Sequence, residues 1–394
     1  MAAMKEPSST QAPHCSASPS SSSTAAGPSF TAWTHATPPF GSTLRKHTFK
    51  PPTLSPTQLL IEVDRAAVNP VDVQIANSSV FKLAALSYPK GIGEDYAGIV
   101  IAQGREVIEF AVGDTVLGFY LTALGKPWEG ALSQVRIVEA SSAVIKYSPS
   151  AKLSPTEAAS FPLVFQTAVT ALTPPYTPKL DSFRPSIVVL GGSSGVGIYA
   201  IQYAKSELGA PKIVATCSGK NAEFVRSLGA NHVIDYISES ILEGLLKHRP
   251  AEGYTTILDC VGGTALLPHL GQLLTHADGS SGHPGGGYIT IVGDATDSER
   301  IGGATVYWYS PRMVWRSLWS WYGLSSKWRY SCISLKASKD KLHKGVELIQ
   351  DKGIKVVVDS EYEFDDVEKA FKKLRTRRAR GKIVIKVKAN SDRL

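Results

Sequence analysis

The sequence predicts an α/β protein with two domains, a compact β domain followed by a doubly wound parallel sheet. Short strands separated by turns fill the first part of the chain, and repeated strand–helix units fill the second. With 394 residues, the chain is long enough to form two domains with sizeable cores.

The most informative segment is an apolar run, a glycine-rich turn and the start of a helix. The run Ser186–Leu190 is typical of a buried parallel strand, and residues 191–197 read GGSSGVG. Such glycines let the backbone approach a pyrophosphate, which the free N–H groups at the helix N-terminus then bind. Tight helix–strand packing is the alternative role, and both can hold together. The residues predicted to bind the cofactor here are Gly192, Ser194, Gly195, Val196 and Gly197.

The next strand indicates which dinucleotide is bound. It covers Lys212–Cys217 and is followed by Ser218, Gly219 and Lys220. NAD-binding proteins usually carry Asp or Glu here, which accepts a hydrogen bond from the ribose 2′-hydroxyl. A hydroxyl and a cation suit a 2′-phosphate instead, so Ser218 and Lys220 predict NADPH. The alternative is an exposed turn.

Further strand–helix units continue the parallel sheet. We expect a short helix over 221–230, strands over 232–236 and 287–293, and a strand with its following turn over 255–263. Before the glycine turn, we expect strands over 59–68, 98–102 and 130–138, a turn followed by a strand over 112–118, and then a helix over 156–172. A helix over 339–351 and a strand over 381–388 close the chain.

Composition limits the other classes of function. Residues 8–29 are almost all Ser, Pro, Ala, Thr and Gly, so we predict a disordered tail. The tail has neither the arginines of a transit peptide nor the apolar core of a signal peptide, which makes the cytoplasm the expected location. Four cysteines without a CxxC pair argue against a disulfide framework or a cysteine-based zinc site. Much of the net charge of +8 lies near the C-terminus, where we favour a solvated helix face over a patch for acidic lipid, and no nucleic-acid partner is expected.

At the level of motifs, the chain resembles the medium-chain dehydrogenase/reductases, in their quinone oxidoreductase-like branch. The motifs are VNPVD at 68–72, GEDYAG at 93–98, VGD at 112–114, QTA at 166–168, the glycine turn and GKIVI at 381–385. The resemblance implies a GroES-like substrate domain over 30–170, after the tail over 1–29. It further implies a Rossmann NADPH-binding domain over 171–335, and a return to the substrate domain over 336–394.

The resemblance also assigns roles to single residues. Asn69 and Asp95 would line the catalytic cleft between the domains, although Asn69 before Pro70 can simply form a turn. Thr167 would lie under the nicotinamide, with a helix-interior threonine as the alternative. Tyr236 would lie near the adenosine phosphate, with a core aromatic as the alternative.

Two departures from the family pattern point to chemistry without a metal. Zinc-dependent members carry cysteine and histidine where this chain has Asn69 and Glu94, so no metal is expected. Related enoyl reductases tend to carry a tyrosine where this chain has Val80, so no proton donor is identified. A quinone or an α,β-unsaturated carbonyl is therefore the expected acceptor, since reduced quinone oxygens can take protons from solvent.

An aromatic insertion over 306–328 stands apart from these motifs. It holds five of the seven tryptophans, with Arg312 and Arg316 between them. We expect it to line the cleft or a homodimer edge. Peripheral membrane contact is the alternative, because interfacial helices combine tryptophan with arginine. The second functional hypothesis is accordingly a weakly catalytic or non-catalytic adaptor for membranes or trafficking.

Overall fold

The computed structural model describes most of the chain outside the N-terminal tail. The described residues are 28–36, 41, 43–77, 89–120, 125–177, 184–278, 283–294, 296, 311–321 and 328–387. The predicted tail therefore lies almost wholly outside them, as does Val80.

The strands of the described residues alternate with helices in the second half of the chain. In chain order they are β1 (Phe30–His35), β2 (Arg45–Phe49), β3 (Gln58–Val68), β4 (Lys90–Gly91), β5 (Asp95–Gln103), β6 (Thr115–Phe119), β7 (Val135–Glu139), β8 (Val144–Lys146), β9 (Ser186–Leu190), β10 (Lys212–Cys217), β11 (His232–Asp235), β12 (Thr256–Asp259), β13 (Ala277–Asp278), β14 (His283–Pro284), β15 (Gly287–Thr290), β16 (Arg329–Cys332), β17 (Val358–Glu363) and β18 (Lys382–Lys386). The α-helices are α1 (Pro70–Asn77), α2 (Pro155–Ser160), α3 (Pro162–Ala171), α4 (Gly195–Ser206), α5 (Ala222–Ser227), α6 (Ile241–Lys247), α7 (Leu270–Leu273), α8 (Pro311–Trp321), α9 (Lys339–Gln350) and α10 (Val367–Arg375).

The second half of the chain forms the predicted parallel sheet. Its six described strands lie in the order β11-β10-β9-β12-β15-β16, and every neighbouring pair is parallel. The order reverses between β9 and β12, and ligands of doubly wound sheets bind in the crevice at such a switch point. The glycine turn leaves β9 at this point. We call this part the nucleotide domain.

The first half forms a largely antiparallel sheet, which we call the β domain. Among the described strands its main path is β17-β18-β3-β5-β6-β8, with β7 also paired to β3. Strand β18 near the end of the chain pairs antiparallel with β3, so Ile383 lies opposite Val68. The predicted fold class is confirmed, whereas the predicted domain boundaries stay predictions.

One helical prediction needs correction. The expected helix over 156–172 is two helices, because Pro162 begins α3 and has no N–H to continue the hydrogen bonds of α2. Ser154 starts α2 with a capping box, since its hydroxyl accepts from the Glu157 amide and the Glu157 carboxylate accepts from the Ser154 amide.

Helix α3 joins the two domains through a shared core. All its residues are buried. The largest core cluster runs from Phe119 of the β domain, through Phe165 of α3, to Ile198 and Tyr199 of the nucleotide domain. The rings of Phe165 and Tyr199 meet edge to face, with centroids 5.9 Å apart. Helix α3 is therefore packed against both domains.

Candidate functional site

The glycine turn between β9 and α4 is too tight for side chains at two positions. Gly191 has a φ of +84°, a conformation that glycine adopts without strain. A Cβ at Gly197 would lie 2.2 Å from the Gly191 carbonyl oxygen. The Ser194 hydroxyl accepts a hydrogen bond of 3.1 Å from the Gly197 amide and so caps α4.

The other predicted residues of this turn also contact the protein closely. A Cβ at Gly192 would lie 3.0 Å from the Ala215 Cβ, and one at Gly195 would lie 3.2 Å from Val164 Cγ1. Val196 is buried. These glycines therefore allow tight packing of the helix against the strand. They also place the backbone of the turn at the N-terminus of a twelve-residue helix. These residues fit a dinucleotide pyrophosphate, and their contact with one stays a prediction.

Three predicted residues lie at the ends of β10 and β11. The two strands are neighbours, with Cys217 opposite Asp235, so the residues that follow them emerge at one edge of the sheet. Ser218 is buried, Lys220 is exposed, and 54% of Tyr236 is exposed. Tyr236 is therefore not a core aromatic. A hydroxyl, a phenol and an unburied cation at one edge fit a 2′-phosphate.

Asn221 and Asp235 lie at the same edge of the sheet, and neither was predicted from the sequence as a site residue. The Asn221 amide donates 3.3 Å hydrogen bonds to the hydroxyls of Ser193 and Ser218, and so ties the glycine turn to the end of β10. A Cβ at Gly219 would lie 2.4 Å from an Asp235 carboxylate oxygen, which places a negative charge beside the candidate phosphate site. The sequence offered one signal for Asn221, namely its position three residues after Ser218.

Asn69 and Asp95 meet in a buried cluster under the join of the two domains. Their side chains are 2.9 Å apart from Asn69 Nδ2 to Asp95 Oδ2, and they are 1% and 0% exposed. Lys382 of β18 completes the cluster: its ammonium lies 3.0 Å from Asp95 Oδ2 and donates to Asn69 Oδ1. A Cβ at Gly195 would lie 3.5 Å from Lys382 Cδ, so this lysine also touches the start of α4.

The cluster fixes the orientation of α3. The second oxygen of Asp95 accepts a 2.8 Å hydrogen bond from the Leu163 amide, in the first turn of the helix. The Thr167 hydroxyl donates 2.8 Å to the Leu163 carbonyl oxygen, one turn earlier. Thr167 is thus bonded within its own helix, and its place under a nicotinamide stays a prediction.

Burial shapes the electrostatics of this cluster. It raises the pKa of Asp95, while the Lys382 ammonium and the Asn69 amide oppose that rise. Burial also raises the pKa of Asp72 to about 7, although the Asn69 backbone N–H donates 2.7 Å to this carboxyl group. Arg136 is fully buried nearby and lies over the Tyr96 ring at 4.6 Å.

The positions at which zinc-dependent relatives of this type carry their ligands hold a different donor set. Asn69 is engaged by Lys382 and Asp95, and Glu94 is 2% exposed. No group of three or more His, Cys, Asp or Glu side chains arranged to hold a metal ion occurs in the described part of the chain. Within these same residues, no helix has the length and hydropathy needed to cross a membrane.

Comparison with known sequences agrees with this architecture. One family model, described as alcohol dehydrogenase GroES-like domain, matches residues 55–148, and another, described as zinc-binding dehydrogenase, matches residues 228–385. Protein YIM1-2 of Lachancea thermotolerans is 30% identical over 345 residues, covering 84% of this chain and 91% of the relative. Human NAD(P)H oxidoreductase RTN4IP1, mitochondrial, is 30% identical over 360 residues, covering 84% and 82%.

Solved structures show the same fold. The quinone oxidoreductase from Coxiella burnetii superposes with a TM-score of 0.71 at 22% identity, covering 92% of this chain and 100% of the other. The Escherichia coli quinone oxidoreductase complexed with NADPH gives 0.69 at 22% identity, covering 90% and 99%. With this fold and these relatives, the chain belongs to the medium-chain dehydrogenase/reductase superfamily, in its quinone oxidoreductase-like branch.

Proposed function

We propose that this oxidoreductase uses NADPH to reduce a quinone or an α,β-unsaturated carbonyl compound without zinc. The observation that carries the proposal is the edge formed by Ser218, Lys220 and Tyr236 beside a glycine turn that fits a pyrophosphate. Two similar proteins, the human NAD(P)H oxidoreductase and the Escherichia coli quinone oxidoreductase complexed with NADPH, support it.

The chain's own residues bind and orient. The α4 N-terminus and its glycine turn would hold the pyrophosphate, and Lys220 would pair with the 2′-phosphate. Bound NADPH supplies the hydride. The Asn69–Asp95–Lys382 cluster holds α3 against the crevice, because Asp95 binds both the helix N-terminus and Lys382. Proximity and exclusion of water in the crevice would provide most of the rate enhancement.

The absence of zinc in this proposal depends on the donor set. The amide of Asn69 is a poor zinc ligand, and both of its polar atoms are already bonded inside the cluster. Without a Lewis acid, direct oxidation of an alcohol is disfavoured. An electron-poor acceptor needs less activation, and a reduced quinone oxygen can take its proton from solvent.

Titration with NADPH and NADH, followed by turnover with a panel of small quinones and enones, tests the proposal. Lys220→Glu should weaken NADPH binding by roughly 10-fold or more while leaving NADH binding nearly unchanged. The matched control is Lys247→Glu, an exposed lysine of α6, which should change neither. Equal NADPH affinity in Lys220→Glu and the unaltered protein would overturn the cofactor assignment.

A second candidate function is an adaptor at a membrane or in trafficking, with little or no catalysis. The exposed tryptophans of α8 favour it: Trp315 is 64% exposed and Trp319 is 37% exposed. It predicts NADPH binding without turnover on any acceptor of the panel. A cytoplasmic location and a homodimer also remain proposals, which fractionation and sedimentation would test.

A further inference from the structure

The inner face of helix α8 packs against the nucleotide domain and forms hydrogen bonds with it. Met313 is 0% exposed and packs with Cys332 of β16. The Ser320 hydroxyl is bonded to the backbone of Tyr330 at 3.0 and 3.1 Å. Arg316 forms a double hydrogen bond with the Asp294 carboxylate, at 2.8 and 3.2 Å, and lies over the Tyr330 ring. These contacts fix how the helix is rotated.

The outer face of the same helix is exposed and combines three apolar side chains with one arginine. It carries Arg312, Trp315, Leu318 and Trp319, which the three- and four-residue spacing places on one side. Trp315 is 64% exposed, Leu318 47% and Trp319 37%. The two indole rings lie together, with centroids 5.3 Å apart. Together with Trp328 they line an open pocket of about 560 Å³, which Arg312 borders.

We propose that this face is a docking surface for the anionic surface of a lipid bilayer. Indoles prefer the headgroup region, where the ring is desolvated and its N–H keeps a polar partner. The helix carries two arginines and no acidic side chain, and a negative surface would attract the arginine that is not already paired. Arg316 is held by Asp294, which leaves Arg312 as the cation on the outer face.

The geometry indicates a helix that lies on the bilayer. Eleven residues of α-helix span only about 16 Å, roughly half of a hydrocarbon core about 30 Å thick. The inner face is anchored to β16 by Met313 and Ser320, so the helix can present its outer face without leaving the domain. An amphipathic helix of this kind binds with its axis in the interfacial plane.

A second copy of the chain fits this face less well. A two-fold dimer places the same patch on both partners, so Arg312 and the tryptophans of one copy would face those of the other. Arg316 is paired with Asp294, and the helix carries no acidic side chain that could compensate the two copies of Arg312. An anionic lipid surface compensates them directly.

Flotation of the full-length protein with vesicles tests the proposal. One set is phosphatidylcholine alone, and the other contains roughly one third phosphatidylserine, which carries the negative charge. We expect co-flotation with the anionic set only. Trp315→Ala with Trp319→Ala should reduce the floated fraction by about 10-fold or more, and Arg312→Glu by about fivefold.

The control variant is Ile108→Ala, which removes an apolar side chain that is 96% exposed in the β domain. It should float like the unaltered protein. Circular dichroism and NADPH titration of each variant check folding independently of lipid. Failure of the unaltered protein to float, equal flotation with neutral vesicles, or equal flotation of the double tryptophan variant would each overturn the proposal. Sedimentation without vesicles tests the alternative that a second copy of the chain occupies this face. If the unaltered protein formed a dimer but did not float, and the tryptophan variants were monomeric, the face would be assigned to a second copy.

Discussion

Replacing Lys382 with methionine removes the positive charge from a carboxylate that solvent does not reach. In the folded protein, the Lys382 ammonium lies 3.0 Å from Asp95 Oδ2, and the two side chains are 5% and 0% exposed. Methionine has nearly the same length and apolar stem, so the change removes charge and hydrogen bonding without a large cavity.

The expected loss follows from the distance and the burial. At 3.0 Å and an effective dielectric constant of about 20, the attraction between two unit charges is about 5–6 kcal/mol. Burying the Lys382 ammonium also costs desolvation free energy, which methionine avoids, and this offsets part of the lost attraction. Removing one partner of a buried pair typically costs about 3–5 kcal/mol, because the other charge stays buried. We expect a loss of free energy of unfolding in that range.

Urea-induced unfolding at neutral pH measures this loss. Lys386→Met is the matched control: it lies on the same strand, is 35% exposed, and its ammonium is 3.6 Å from Glu363. It should cost less than about 1 kcal/mol. The double change Lys382→Met with Asp95→Asn should recover part of the loss, because it removes the uncompensated carboxylate. If Lys382→Met cost no more than Lys386→Met, the cluster would not stabilise the join of the domains.

Three further predictions concern single residues elsewhere. Arg377→Gly should stabilise the protein by about 1 kcal/mol in thermal denaturation, because Arg377 has a φ of +55°, whereas Arg378→Gly should not. Asp235→Asn should strengthen NADPH binding by about two- to fivefold without changing NADH binding, because it removes a negative charge beside Gly219; equal effects on both would contradict this. Burial raises the pKa of Asp72 from 3.8 to about 7, so the folded protein keeps a proton that the unfolded chain releases, and stability should fall as the pH rises through this interval. Asp72→Asn should flatten that part of the stability profile, and an unchanged slope would refute the assignment.

Local patterns predicted five of the six described strands of the nucleotide domain, because each of the five is read from a short apolar run; β16 was not predicted. Of the five, β9 and β10 have the expected bounds, and β11, β12 and β15 differ by a few residues at their ends. The break between α2 and α3 could also have been predicted, because Pro162 lies inside the expected helix.

The buried cluster could not be derived from the sequence in the same way. Lys382 and Asn69 are 313 residues apart, and no local period relates them. Lys382 begins a strand whose next three residues, 383–385, are apolar, so nothing local marks its role. Asn69 and Asp95 were selected by resemblance, but their partner depends on which strand β18 pairs with. The edge at Lys220 was predicted more completely, because its residues follow two consecutive strands directly.

The pairing of β18 with β3 has a consequence for how the protein is made. Strand β3 leaves the ribosome long before β18, the strand that pairs with its edge. At about 5–20 residues per second, the 313 residues between Asn69 and Lys382 take roughly 15–60 s to synthesise. Throughout that interval, the edge of β3 that pairs with β18 stays open. The nucleotide domain, which lies between these two strands in the sequence, can already fold. Premature termination before residue 382 should therefore yield a folded nucleotide domain attached to an aggregation-prone first half.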